Sequence, residues 1–535
     1  MQESKLKREI GPIGLTALAV SGIIGSGWLF APLLAAKLAG PAAIIAWFIG
    51  SFSMLLLALT FAEISAMFPL PGGIASIPQV THGNVVSIAM GWTAWLGYLL
   101  TAPVEVEATL RYLGQYAPWL FDASAFENLS FAGSMAALGL MVLFVILNAL
   151  GVKLFTTINT SITWIKLIVP IIITVMFVAS SFEPANFTGT GGFSPYGVGG
   201  ILAAVSSGGV ILSMIGFRHA IDMAGEVRNP GRIVPLAMIA AMLICLLLYL
   251  GLQVAFIGAL QPADLTNGWS GLHFTHPGGP LASVATALGL LWLVSLMNTT
   301  AVISPFGSAL VAVGANARLV LAMTGTKFMP ALFARLSRFG VPFNALLLNL
   351  VIGWLAVAFL DFSEIVAAHS SLVVLSFIVG PIAVVALRSL AADYTRPFRL
   401  PFVRAIGYAT FILATLIVYW SGWQTIQILG LAMAVGALIF AVRLRSMDRD
   451  ELDLQQAAWL LPYCIGVGLI SWLGSFGGIG LIGEGYDIAV CAVFCAFIYR
   501  LALRSALSQV QFDQQADDIL ARIGYDKAVL RDLEV

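Results

Sequence analysis

The stretch "SGIIGSGW", Ser21 to Trp28, interrupts a long apolar run with three glycines and two serines. A helix that only has to cross a bilayer gains nothing from them, since a glycine in a helix interior costs about 1 kcal/mol relative to alanine. In lipid an unpaired backbone group costs several kcal/mol. A helix can therefore unwind there only where polar groups replace its own hydrogen bonds. Gly25 and Gly27 permit the unwinding and leave room for close approach. The broken ends then offer amide N–H groups from one half-helix and carbonyls from the other. The amides attract an anion such as a carboxylate, and the carbonyls attract a cation such as an ammonium. One break can thus hold both ends of a zwitterion, which is the shape of an α-amino acid. The plainer reading is that small residues let two helices pack closely, and this stretch alone supports both.

Of the 535 residues, 60% are hydrophobic and 10% charged, with a mean hydropathy of +0.97. About a quarter of a soluble domain is charged, so most of this chain is built for lipid. The apolar runs recur at the length needed to cross a hydrocarbon core of ~30 Å. They predict fourteen spans, at roughly 12–38, 42–68, 87–117, 132–151, 155–180, 199–225, 232–260, 281–314, 343–361, 365–388, 402–421, 424–442, 457–477 and 486–503. The basic leader "MQESKLKREIGPIG" runs into a first apolar segment too long for a cleaved signal peptide, so that segment reads as a retained helix. With the N-terminus in the cytoplasm and each span crossing once, all but Lys37, Arg111 and Lys166 of the 26 Lys and Arg residues fall inside. The positive-inside rule expects this asymmetry. It puts both termini in the cytoplasm; the membrane expected is a plasma membrane of the bacterial inner-membrane kind. The formal net charge is zero, so no nucleic-acid partner is indicated.

A second weak helix lies five spans later, in "AAVSSGGVILSMIGFRHAIDMAGEVRNPGRIVP". It breaks at small residues around Ser213 to Gly216. Paired interrupted helices in corresponding places of two inverted halves are a mark of secondary transporters. The layout read from this is a cytoplasmic N-terminus (1–11), a first five-helix repeat (12–181) and a second (199–390). Four additional helices (402–503) and a cytoplasmic tail (504–535) follow, the tail with an amphipathic stretch around Ile519 to Leu533.

Several segments resemble the amino acid–polyamine–organocation (APC) superfamily. "SGIIGSGWLFAP" is similar to its first-helix signature. "GPAAIIAWFIG" and "FAEISAMFPLPGG" resemble the two ends of its second helix. "GEVRNPGRIVPLAM" resembles the motif closing helix six, and "ANARLVLAMTGTKFMPALFARLSRFGVPFNALLL" the loop after helix eight. The five stand in the family's order over roughly residues 8 to 405. The resemblance implies an all-α LeuT-like fold of 5+5 inverted repeats and alternating access around a central site. It implies that the backbone amides of Ser26 and Gly27 bind a substrate carboxylate, with Gly25 giving room. The Ile23 carbonyl would take the ammonium, and Ser213 and Ile215 would complete the amine cage. Some relatives carry an aromatic gate where this chain has Leu212, so that gate is absent or supplied elsewhere. Two of the last four spans exceed the family's usual twelve.

Ionisable groups at membrane depth are expensive and functional by default. Lys166, in "SITWIKLIVP", matches a helix-five lysine that replaces sodium in some relatives. A buried amine can gain and lose a proton in a transport cycle; the plainer account is a permanently charged structural lysine. Glu107 and Arg111 stand four apart, the spacing of a local ion pair. Glu105 follows Pro103 without such a partner; it is a candidate for the substrate or proton path, and the plainer account is that it bonds polar neighbours in the bundle. Arg218, just past the second break, could pair with Asp222 four residues on. It could instead read a side-chain carboxylate, a bidentate task that suits arginine, which would make the substrate aspartate or glutamate. His82 is expected in a short cytoplasmic loop, and His273 and His276 outside; His369, at the start of the tenth span, could line the pathway, but the plainer account is a solvated helix end.

The four cysteines all fall in apolar runs and read as packing residues, with no cofactor or metal implied. A membrane enzyme would need convergent acid–base groups at one face. A channel or sensor would need a filter repeat or a large soluble domain. None of these signatures is present. The function expected is secondary active transport of an amino acid, by proton symport or by exchange of two amino-acid-like solutes.

Overall fold

The computed structural model describes all residues except 1–9, 69–72, 123–124, 151–152, 223–226, 275–278, 325–327, 338–339, 445–451 and 524–535. Each of the fourteen apolar segments is helical. The first is split into α1 (Pro12–Ile23) and α2 (Gly27–Ala39), followed by α3 (Ala43–Met67). The third runs through α4 (Gly73–Leu99) and α5 (Thr101–Leu113). A short antiparallel hairpin, β1 (Phe121–Asp122) with β2 (Ala125–Leu129), leads to α6 (Phe131–Leu150) and α7 (Lys153–Ser180). The sixth segment is broken into α8 (Gly197–Ser207), a 3-10 turn over Leu212–Phe217, and α9 (Arg218–Asp222). Then come α10 (Pro230–Ala259), α11 (Pro280–Ala287), α12 (Leu291–Thr324), α13 (Phe343–Phe359), α14 (Phe362–Phe377) and α15 (Val379–Leu390). The last four segments are α16 (Val403–Trp420), α17 (Trp423–Arg443), α18 (Leu460–Leu473) and α19 (Tyr486–Arg504). A tail helix, α20 (Gln509–Ile523), closes the described chain.

Among the described residues, nine helices are long and apolar enough to cross a membrane, and five shorter apolar helices accompany them. Proline opens α1, α10 and α11, at a position where its missing N–H has no helical partner anyway. The N-terminus of α14 carries a reciprocal cap between Asp361 and Glu364. Burial sorts the helices. The α14–α15 segment is 94% buried and forms the centre, whereas the apolar window of α17 is only 22% buried. Leu247, Leu438, Val493 and Phe497 stand exposed, as expected of faces that meet lipid rather than water.

The eighth segment, whose length and glycine fit a tilted or broken span, is two helices, since Gly289 at φ 73° turns the chain between α11 and α12. Three sequence expectations are corrected. The sixth-segment break opens earlier than Ser213, at Gly208 and Gly209, because Gly209 takes a positive φ of 81°. His82 is not in a loop: α4 starts well before the expected span and bends at Gly83. That bend buries the imidazole between Thr81 Oγ1 (2.9 Å) and the Ala502 carbonyl (3.0 Å). His369 is not solvated. It lies within the central α14, with Nδ1 2.7 Å from the Gly97 carbonyl.

Of the cysteines, Cys245, Cys491 and Cys495 are buried as expected, but Cys464 is exposed on a peripheral helix. His273 is exposed. His276, part of the "GEV" motif and the distal tail lie outside the described residues.

Candidate functional site

The two broken helices meet. A Cβ on Gly216 would overlap the backbone of Gly22 and Ile23, and a Cβ on Gly27 would overlap the Ser213 side chain. Glycine is required at position 216, where main chain passes against main chain with no side chain between; at position 27 the close neighbour is the Ser213 side chain. Gly209, at the opening of the second break, stands 3.0 Å from Ala31 of α2 by the same measure.

At the first break α1 stops at Ile23 and α2 starts after Ser26, whose side chain makes no cap. Other helices satisfy the freed backbone groups. The Ser26 amide donates to Glu105 Oε1 of α5 at 3.3 Å. The Ile23 carbonyl accepts from the Tyr249 hydroxyl of α10 at 3.3 Å. The Gly25 carbonyl accepts from Ser304 Oγ of α12 at 3.2 Å. At the second break Ser213 donates its hydroxyl to the Gly209 carbonyl at 2.8 Å. Ile215 is buried in the 3-10 turn beside it.

Lys166 is buried, and its ammonium donates to Ser308 Oγ of α12 at 2.9 Å. Ser308 and Glu105 both border Gly25: a Cβ there would lie 2.7 Å from Glu105 Oε1 and 3.8 Å from Ser308 Oγ. Glu105 and Lys166 are thus linked through Ser308 and Gly25, with opposite charges on the two sides of the break. Ile23, Gly25, Ser26, Gly27, Ser213, Glu105 and Lys166 are brought to one place from four segments of the chain.

Arg218 goes elsewhere. Its guanidinium lies over the ring of Tyr98 in α4, 4.3 Å from the centroid, a cation–π arrangement. The side chains of His219 and Asp222 lie outside the described residues. Glu107 and Arg111 make the local ion pair, at 3.6 Å. Arg111 also lies over the Phe362 ring, 4.7 Å from its centroid. Phe362 meets Phe30 of α2 at 5.0 Å, and Phe30 meets Tyr112 at 5.6 Å, both edge to face. These rings pack together beside α2, just past the break.

Sequence reading missed Tyr249, Ser304 and Ser308, which hold the break's carbonyls and the lysine. The available signal was a pair of polar side chains within each apolar run, Tyr249 and Gln253 in "LLLYLGLQV" and Ser304 and Ser308 in "ISPFGS", where a partner is obligatory.

A family profile described as amino acid permease matches residues 10–470. The chain belongs to the amino acid permeases of the APC superfamily. It is similar to the glutamate/serine transporter AimA of Bacillus subtilis, 32% identical over 530 residues, with 97% of this chain and 98% of the relative covered. It is also 32% identical over 522 residues to the aspartate-proton symporter of the same organism, covering 96% and 99%. A branched-chain amino acid permease, BcaP, is 24% identical over 82% of this permease. The permease is a multi-pass membrane transporter of amino acids and not an enzyme.

Proposed function

We propose that this permease couples the entry of an amino acid, with aspartate or glutamate favoured, to protons, by alternating access in the plasma membrane. The observation that carries the reading is the contact of the two broken helices beside a buried Glu105 and Lys166. In this reading residues 12–181 and 199–390 are inverted repeats, and both termini face the cytoplasm. The amides of Ser26 and Gly27 take the substrate carboxylate, with Gly25 keeping the approach open. The Ile23 carbonyl, Ser213 and Ile215 take the ammonium. Lys166 fills the place of a sodium ion and serves proton coupling, either as the proton's own site or as the fixed positive charge beside the group that carries it.

The names of two relatives, a glutamate/serine transporter and an aspartate-proton symporter, favour an acidic or small polar substrate. Arg218, one residue past the second break, is the candidate partner of a side-chain carboxylate, and would have to leave Tyr98 to act so.

The test is uptake of radiolabelled aspartate, glutamate and serine into proteoliposomes, with an inward proton gradient and no sodium. Accumulation that collapses with a protonophore supports the reading. Uptake seen only with preloaded amino acid inside would make the protein an exchanger. Strict dependence on sodium would remove Lys166 from its role.

A further inference from the structure

The amide expected to receive the substrate carboxylate is already occupied by a carboxylate. Ser26 N–H donates to Glu105 Oε1 at the start of α2. We propose that Glu105 is a built-in surrogate for the substrate carboxylate, which caps the clamp in the empty transporter and leaves it on taking up a proton. This rests on the amino-acid reading of the broken helix given above.

Three observations carry it. Glu105 reaches the break from α5, a helix remote in sequence, and is buried there. Its approach depends on Gly25, where a Cβ would stand 2.7 Å from Oε1. Its second oxygen, Oε2, is buried and has no hydrogen-bond partner among the described residues. Ionised, an oxygen buried in this way is costly to leave unpaired; protonated, it turns from acceptor into donor. The end of one helix cannot hold two carboxylates side by side, since like charges at that spacing repel strongly. Substrate and ionised Glu105 therefore exclude each other.

Among the described residues the ionisable groups around Glu105 are few. Lys166 of α7 is bonded to Ser308, which borders Gly25 as Glu105 does, and Tyr249 of α10 is bonded to the Ile23 carbonyl of the same break. Glu107, on its own helix, is paired with Arg111. His369 of α14 is tied to the Gly97 carbonyl, and Arg218 of α9 lies on Tyr98. In the cycle, Glu105 accepts one proton from the side on which the substrate arrives and leaves the Ser26 amide, which the substrate carboxylate then takes. After the substrate leaves on the other side, Glu105 releases the proton there and caps Ser26 again. One proton moves with each substrate.

The experiment is substrate affinity against pH, with glutamate, aspartate and serine as probes, for purified wild type and Glu105→Gln. Glutamine keeps an acceptor for Ser26 without the charge. Wild-type affinity is expected to fall about tenfold per pH unit above the point where Glu105 ionises, while the glutamine variant binds equally well throughout. Glu105→Asp, one methylene shorter, is expected to flatten the dependence as well. The proposal is overturned if Glu105→Gln keeps the wild-type slope. It is also overturned if the variant is folded but binds nothing at any pH, since Glu105 would then touch the substrate itself. A slope lost in Lys166→Ala but kept in Glu105→Gln would put the proton on the lysine. If wild type binds none of the probes, it is the amino-acid reading that fails, and this proposal falls with it.

Discussion

Gly216 rests against the carbonyl of Gly22 with no space for a single carbon between them. The two breaks are therefore one structure: neither helix can rewind without pushing the other away. The first consequence is a ranking of glycine substitutions. Gly216→Ala meets backbone, whereas Gly27→Ala meets chiefly the Ser213 side chain. Overpacking of this kind costs about 1–3 kcal/mol. Gly216→Ala is expected at the upper end with loss of transport, and Gly27→Ala lower, with partial rescue by Ser213→Gly. Thermal unfolding in detergent together with uptake measures both.

The packing beside α2 predicts an asymmetry at Arg111. Its removal leaves Glu107, only 3% exposed, without its ion-pair partner. Breaking one half of such a buried pair costs on the order of 3 kcal/mol, while replacing both halves costs much less. Arg111→Met is thus expected to lower the melting temperature more than Arg111→Met with Glu107→Gln. Equal melting temperatures would show that the pair does not stabilise this corner.

A third prediction concerns Glu63, at 1% exposure in α3. Arg388 of α15 grips its carboxylate with two bonds of 2.6 and 2.8 Å, and the Leu400 amide adds a third at 2.7 Å. Arg396 stands 3.7 Å away. The fork geometry is specific to arginine. Arg388→Lys is expected to destabilise the protein nearly as much as Arg388→Ala, by about 3 kcal/mol or more, as read from unfolding curves.

The tail helix gives a fourth. Phe512 of α20 is fully buried, near Phe68 at 6.4 Å and Tyr394 at 6.2 Å. The Leu507 amide donates to the Thr81 carbonyl at 2.9 Å beside the Gly83 bend. Phe512→Ala should cost about 3 kcal/mol, the usual loss for a core aromatic. An unchanged melting temperature would mean the tail is not part of the folded core.

The helices and the first break were legible because lipid enforces the rule that reads them: apolar length gives the span, and glycine within it gives the fault. Gly25 and Gly27 identified their own break. Glu105 and Lys166 were singled out because charge at membrane depth needs a reason. What the sequence did not reveal was partnership. Nothing local says that Tyr249, Ser304 and Glu105 would each take one group of the same break, since they come from three separate helices. His82 and His369 were misplaced because a helix boundary set several residues wrong turns a buried position into an end. Arg218 was expected to choose between Asp222 and a substrate, and the ring of Tyr98, a neighbour only in space, was invisible.

The most direct test of the central claim is ligand-induced thermal stabilisation of purified wild type and Gly25→Leu. A ligand that binds only the folded state raises the melting point. The account predicts that glutamate, aspartate or serine stabilises wild type without sodium. It predicts that Gly25→Leu stays folded and shows no shift, because leucine there fills the space between the amides, Glu105 and Ser308. Equal stabilisation of both proteins would contradict it, and would place the amino acid somewhere other than the broken helix.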